Sequence, residues 1–320
     1  MLETRHPEWN PIHLLHAFQR VGYHPETALL DIADNSVSAQ ATNVAISVEA
    51  ENQKGGRGRP KAILKSFTIV DNGFGMDVVG LDNALSLGSS PQAYHEYTLS
   101  KFGMGLKSAA ASLGRRLEII TRPKTELSKV YKAVLDSEKI SSEYFYNLVD
   151  PTSDDLALLT SVAGKGSGTA IRITELLQES LPRASEIIEK LNQRAGLIYY
   201  YYLQGLVPYA GKLSLTINGE EVKPFDPLFV AAIDAASSDL NENTWDGLET
   251  KWIQQPQKIQ LDTKGSTFAE VTITQLPHPP SVGRVGQMTQ AECREHYMIG
   301  AGNYGFFVYR NHRLISWADS

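Results

Sequence analysis

The chain has 320 residues and a formal net charge of −6, from 30 Lys and Arg against 36 Asp and Glu, with 42% hydrophobic and 21% charged residues. That is an ordinary globular composition of roughly two domains' length, and its acid excess excludes a protein built mainly to coat nucleic acid, while leaving room for a local basic patch. Cys293 is the single cysteine, so internal disulfides and Cys-clustered zinc are excluded and a reducing compartment fits. The N-terminus lacks the apolar core of a secretory signal, and no stretch approaches the roughly 20 apolar residues of a membrane span. A soluble, intracellular location is therefore expected, cytoplasmic or, in a eukaryote, nuclear.

In chain order, residues 11–21 and 26–40 are predicted helical, and TNVAISVEA at 42–50 alternates like a strand. A Gly-rich basic loop, ENQKGGRGRPK at 51–61, leads to a second strand, AILKSFTIV at 62–70. Residues 77–87 read as helix, 88–102 as a long loop and 103–113 as a helix of small residues. Strands are expected at 116–121, 129–135 and 168–174, followed by a long helix over 183–204. KLSLTINGEEV at 212–222 runs into an Asn-Gly turn, a strong hairpin signal, and strand-like segments continue to a second expected hairpin, YGFFVYRNHRLISW at 304–317. The change of character after the long helix places a domain boundary near 205–210, giving expected domains at 1–206 and 207–320.

Four motifs carry chemistry. On the helix ETALLDIADNSVSAQ, Asp31, Asp34, Asn35 and Ser38 share one stripe, with Leu29, Leu30, Ile32, Ala33 and Val37 on the other side. The stripe holds oxygen ligands of the kind hard divalent ions take, with no cation to neutralise it; a solvated helix face is the equally good plain reading. VDNGFGM at 70–76 sets Asp71 at a strand end, where a carboxylate could accept from an exocyclic amino group, and Gly73 and Gly75 permit close approach of a planar ligand. Taken alone, it reads first as a turn. SKFGMGLKSAAASLG at 100–114 opens a helix with Gly103 and Gly105, whose free N–H groups could face an anion, with Lys107 as an added point charge. It matches neither the Walker A loop nor the dinucleotide fingerprint. GKGSGTAIRIT at 164–174 starts a strand at Gly168 and Thr169.

Together, in this order between residues 31 and 169, the motifs resemble the nucleotide-binding fold of the GHKL ATPases, the group of gyrase B subunits, ninety-kilodalton chaperones, sensor histidine kinases and MutL. YHPETALLDIADNSVSA, GLKSAAASLG and GFFVYRNHRLIS resemble the MORC type most. The resemblance implies an α+β fold, an α/β sandwich of a mixed sheet with helices on one face, followed by a strand-rich transducer-like domain. It implies ATP and Mg²⁺ as cofactors, with Asn35 on the metal, Asp71 on the adenine amino group, and Gly73, Gly75 and Met76 lining the base. Gly103, Gly105 and Lys107 would belong to the lid over the phosphates, and Thr169 would complete the base site. The water-activating position, a glutamate in the family, is Asp31 here, one methylene shorter. Slow ATP hydrolysis is therefore expected, with Asp34 a supporting partner of the site.

The same resemblance implies an ATP-dependent homodimer acting as a conformational switch, in DNA-related or genome-defence processes. The alternative is a nucleotide-gated scaffold without significant turnover, or a MutL- or chaperone-like ATPase. A MutL-like lid would read Phe-Arg-Gly-Glu-Ala, against Phe-Gly-Met-Gly-Leu-Lys here, and a histidine kinase would need a phospho-acceptor helix ahead of residue 25. The transducer's phosphate-reaching lysine has no evident counterpart, and the chain is expected to be part of a longer protein. The basic loop Lys54, Arg57, Arg59, Lys61 and Lys65 could touch a phosphate backbone, although a solvated loop is the commoner case, and Arg115, Arg116, Arg122 and Lys124 could extend it unless ion-paired. Cys293 and His296 lack the second pair that a zinc site needs. The tyrosine run 199–202 is expected to pack a helix on the sheet.

Overall fold

The computed structural model describes residues 10–20, 22–53, 61–87, 99, 104–141, 143–230, 245–265, 267–286, 288–300 and 305–319. In chain order the first elements are α1 (Pro11–Gln19), α2 (Pro25–Ser38), β1 (Asn43–Gln53), β2 (Lys61–Asp71), α3 (Val78–Leu85) and α4 (Gly105–Leu113). Then come β3 (Gly114–Arg122), β4 (Tyr131–Asp136), β5 (Asn147–Val149), α5 (Ser153–Ala163) and β6 (Gly168–Leu176). Helices α6 (Ala184–Ile198) and α7 (Tyr200–Gln204) precede β7 (Ser214–Ile217) and β8 (Glu220–Glu221). The remainder holds β9 (Lys251–Gln260), β10 (Phe268–Gln275), α8 (Pro279–Val285), α9 (Gln290–His296), β11 (Phe306–Arg310) and β12 (Arg313–Asp319).

Eight strands form one mixed sheet in the order β5-β4-β3-β6-β2-β1-β7-β8, antiparallel except where β7 runs parallel to β1. The pairing brings one set of alternate side chains into a continuous apolar face: Val44 and Ile46, Phe67 and Ile69, Leu117 and Ile119, Ile171 and Ile173, Leu215 and Ile217 are all at most 5% exposed. Leu29, Leu30, Ile32 and Ala33 of α2 are at most 1% exposed, and α2 packs against β1, β2, α4 and α6. Each such Leu or Ile stabilises the fold by about 1.5–3 kcal/mol.

The expected layer of helices on one face is present, and α5 adds cover to the other. Leu159 of α5 packs on Val70, Ile120 and Ala170, whose side chains point away from the α2 face. Beneath α5 lies a buried ion network. Asp155 pairs with Lys132 Nζ at 2.8 Å and Arg172 Nη1 at 3.0 Å, and Glu118 pairs with the same two cations at 3.4 and 3.1 Å.

One expectation is corrected. The helix foreseen over 183–204 is interrupted at Tyr199, which leaves helical geometry between α6 and α7. Beside the boundary expected at 206/207, the division between compact units falls at Pro224/Phe225. The reason is the parallel pairing of Ser214–Ile217 with Asn43–Ile46, which makes the Asn218-Gly219 hairpin part of the first sheet. Both turn residues have positive φ, 49° and 85°, as a two-residue hairpin turn requires. The first unit also includes Asn311–Arg313; the second is Phe225–Arg310 with Leu314–Ser320. Within the second unit, β9 and β10 form an antiparallel ribbon, and α8 packs on α9 around the buried Cys293.

Candidate nucleotide site

Asp71 ends β2 as a buried carboxylate. Its Oδ2 accepts from Ser36 Oγ at 2.7 Å, and its Oδ1 accepts from the N–H groups of Gly73 at 2.8 Å and Thr169 at 3.3 Å. Burial pushes its pKa up, against the pull of those three donors. A carboxylate offers about four lone-pair directions, so capacity for one further donor remains. Ser36 lies on α2 and Thr169 on β6, so one side chain ties together the helix, both strands and the glycine turn.

That turn is not a simple hairpin. Phe74 N–H donates to Ala39 O at 3.1 Å, and Asn72 Oδ1 accepts from Thr42 and Asn43 N–H, both at 2.9 Å, docking the turn on the end of α2. A Cβ at Gly73 would lie 2.8 Å from Ala39 Cβ, and one at Gly75, where φ is +62°, would lie 2.0 Å from Arg122 O. Both positions require glycine for close backbone approach, Gly75 also for its left-handed conformation. Met76 N–H donates to Thr121 Oγ1 at 2.8 Å, and Thr121 Oγ1 lies 3.2 Å from both Gly168 O and Thr169 Oγ1. Asp71, Gly73, Gly75, Met76 and Thr169 are thus brought together.

On α2 the polar stripe is only partly exposed. Asn35 is half-buried and its Nδ2 donates to Ile32 O at 3.0 Å, so its amide oxygen is the atom that can meet a hard cation. Ser38 Oγ donates to Asp34 O at 2.8 Å and accepts from Leu99 N–H at 3.2 Å. Asp31 Oδ2 accepts from Tyr23 Oη at 2.6 Å and Oδ1 from Arg313 Nη2 at 3.0 Å, with the Asp31 side chain 25% exposed. Arg313 also donates from Nε to Asp34 Oδ1 at 3.1 Å, and its Nη2 lies 2.9 Å from Asp34 Oδ2. Tyr199 Oη is 2.7 Å from Asp34 Oδ1 and 2.8 Å from Leu30 O. Burial pushes the Asp34 carboxyl up to about 6, against the pull of Arg313 and Tyr199.

At α4, a Cβ on Gly105 would meet nothing within 4 Å among the described residues, and the first N–H groups of the helix have no intrahelical partner and can face an anion. Lys107, expected to present a charge to phosphate, follows two residues on. Its side chain is 2% exposed, Nζ donates to Ala84 O at 2.9 Å, and burial lowers its pKa to about 8. Gly103 and the loop residues Lys54, Arg57 and Arg59 lie outside the described residues, as does the side chain of Lys61. Lys65, Arg115 and Arg116 are ion-paired with Glu51, Glu138 and Glu118, and Arg122 donates to the carbonyls of Gly164 and Gly166.

Sequence reasoning passed over Ser36, Thr121, Tyr23 and Arg313, and read Tyr199 only as packing. Ser36 was legible from α2's periodicity only as a lone hydroxyl on the apolar side of the helix, beside Ile32, Leu29 and Ala33. The others act through contacts that no local pattern displays.

Residues 23–169 match the family model described as "Histidine kinase-, DNA gyrase B-, and HSP90-like ATPase". The matched segment holds Asp31, Asn35, Asp71 and Thr169, and the mixed sheet with its helices is of the GHKL ATPase fold. A crystal structure of the ATPase and transducer domains of DNA topoisomerase II from Balamuthia mandrillaris is similar with a TM-score of 0.40 and 13% identity. That similarity covers 62% of this chain and 48% of the other. No curated protein matches this chain in sequence. Among the described residues no helix is long and apolar enough to cross a membrane, and no group of three or more His, Cys, Asp or Glu side chains is arranged to hold a metal ion.

Proposed function

We propose that the chain binds ATP with Mg²⁺ and hydrolyses it slowly to ADP and phosphate, using the binding state to gate association of two copies. The observation that carries this reading is the buried Asp71 carboxylate, held by Ser36, Gly73 and Thr169 beside the helix bearing Asp31 and Asn35. In it, Asp71 accepts the adenine amino group, with Gly73, Gly75, Met76 and Thr169 around the base. The amide oxygen of Asn35 holds Mg²⁺, which supplies charge neutralisation at the phosphates. The start of α4 at Gly105, with Gly103 before it, offers N–H groups to the phosphate oxygens. Asp31 orients the attacking water and takes its proton.

The MORC-type assignment, and with it a DNA-related or genome-defence output through Lys54, Arg57, Arg59 and Lys61, rests on sequence resemblance. A scaffold that binds ATP without turnover is favoured by one observation, the donors already on both oxygens of Asp31.

The test is nucleotide affinity and phosphate release for wild type, Asp71→Asn, Asn35→Ala and Asp31→Asn. Asp71→Asn is expected to weaken ATP binding roughly tenfold or more, because an amide turned toward the adenine would oppose donor to donor. Asn35→Ala is expected to lose the Mg²⁺ dependence, and Asp31→Asn to bind ATP but release no phosphate. Unchanged ATP affinity in Asp71→Asn would sink the base assignment, and wild-type binding without phosphate release would select the scaffold.

A further inference from the structure

We propose that Arg313 is a positioning residue for Asp31: from the tip of the β11–β12 hairpin it clamps Asp31 and Asp34 together and fixes the carboxylate that faces the water. The inference rests on the proposed role of Asp31 as base. One guanidinium makes three short contacts to two carboxylates a helical turn apart, with Nη2 shared between Asp31 Oδ1 and Asp34 Oδ2 and Nε on Asp34 Oδ1. Two like charges so placed repel, and a planar fork can satisfy both at fixed angles where a lysine offers a single point charge.

The tip is itself held. Asn311 and His312 turn the chain at positive φ, 50° and 63°, without a glycine. Asn311 O accepts from Tyr202 Oη at 2.9 Å and Tyr209 Oη at 3.0 Å, and the His312 ring meets Tyr201 and Tyr209 edge-on at 5.6 and 5.7 Å. The tyrosine run therefore does more than pack a helix: Tyr199 donates toward Asp34, and its neighbours seat the residues that deliver Arg313. Tyr23 completes the hold by engaging the other oxygen of Asp31. A base must stand within about 1 Å of its productive position, and this cage fixes Asp31 from two sides.

The experiment measures kcat and KM for Mg·ATP, and thermal midpoints, in wild type, Arg313→Lys, Arg313→Ala, Asp31→Asn and the Arg313→Ala/Asp31→Asn pair. Arg313→Ala is expected to lower kcat roughly tenfold or more with KM changed less than about threefold, and Arg313→Lys to recover part of the loss. The loss of thermal midpoint from Arg313→Ala is expected to shrink when Asp31 is already Asn, because the pair is coupled. Wild-type kcat in Arg313→Ala, beside an inactive Asp31→Asn, would overturn the inference and leave the base assignment standing. So would a rise in KM at constant kcat, which marks a direct nucleotide contact, or additive losses of thermal midpoint. Failure of the underlying reading has a different signature: Asp31→Asn then turns over like wild type, or wild type releases no phosphate, and the inference falls with it.

Discussion

Lys107→Met tests whether the lysine of α4 is a cost to the fold. Lys107 is 2% exposed, and its Nζ donates to Ala84 O at 2.9 Å. Burial lowers its pKa from 10.5 to about 8, which corresponds to a penalty of about 3 kcal/mol on the charged form. Methionine fills nearly the same volume and carries no charge, but it leaves the Ala84 carbonyl without this donor, at about 1–2 kcal/mol. The net expectation at pH 7 is a gain of about 1–2 kcal/mol, read as a thermal midpoint raised by about 2–6 °C.

The pH dependence has a definite sign. Between about pH 8 and 10.5 the unfolded lysine still holds its proton and the folded one has lost it, so wild-type stability rises with pH through that window. The advantage of Lys107→Met should therefore shrink from pH 7 to pH 10.5. A lowered midpoint at pH 7, or an advantage that does not change with pH, would refute the reasoning. Because Lys107 faces Ala84, ATP affinity in the variant is expected to stay within about threefold of wild type; a larger loss would mean that the side chain leaves its burial site to meet phosphate.

Gly75→Ala would put a Cβ 2.0 Å from Arg122 O at a φ of +62°, and a loss of about 2–4 kcal/mol is expected in urea unfolding, with near wild-type stability the refuting result. For Asp155, burial acts to raise the carboxyl pKa, yet Lys132 and the Thr152 donors outweigh it and hold it at about 2, below its ordinary 3.8. Its contribution is thus present above about pH 4 and lost as pH falls toward 2, so Asp155→Asn should cost about 3 kcal/mol at pH 7 and much less near pH 2. A cost independent of pH in urea titrations would contradict the ion-pair account.

The strands around the site were legible from local pattern: β1 alternates, with Val44, Ile46 and Val48 buried, while β2, β3 and β6 are short apolar runs, buried on both faces and bounded by turn signals. The α2 stripe and Asp71 were legible for the same reason: helical period and strand end both place a side chain without reference to the rest of the chain. Two helices went unread although their start signals stand in the sequence. Thr152 with Asp155 and Thr289 with Glu292 form capping boxes at α5 and α9, but the runs that follow are short and weakly periodic.

The counter-charge for the acidic stripe was illegible for a different reason. Read along α2 alone, Asp31 and Asp34 have no cation, which made a metal ion or plain solvent the available explanations. The structure supplies Arg313 instead, 282 residues beyond Asp31, through a turn that uses Asn311 and His312 where a pattern search would look for glycine. Its seat is built from tyrosine hydroxyls whose partners are backbone carbonyls and so carry no sequence signature. One helix face therefore carries two kinds of group: Asn35, whose amide nitrogen is spent on Ile32 O, and the carboxylates of Asp31 and Asp34, which share one cation the chain already owns. Charge balance at this site is a property of the fold rather than of the motif, and a motif carried over by resemblance assigns the anions without naming what holds them.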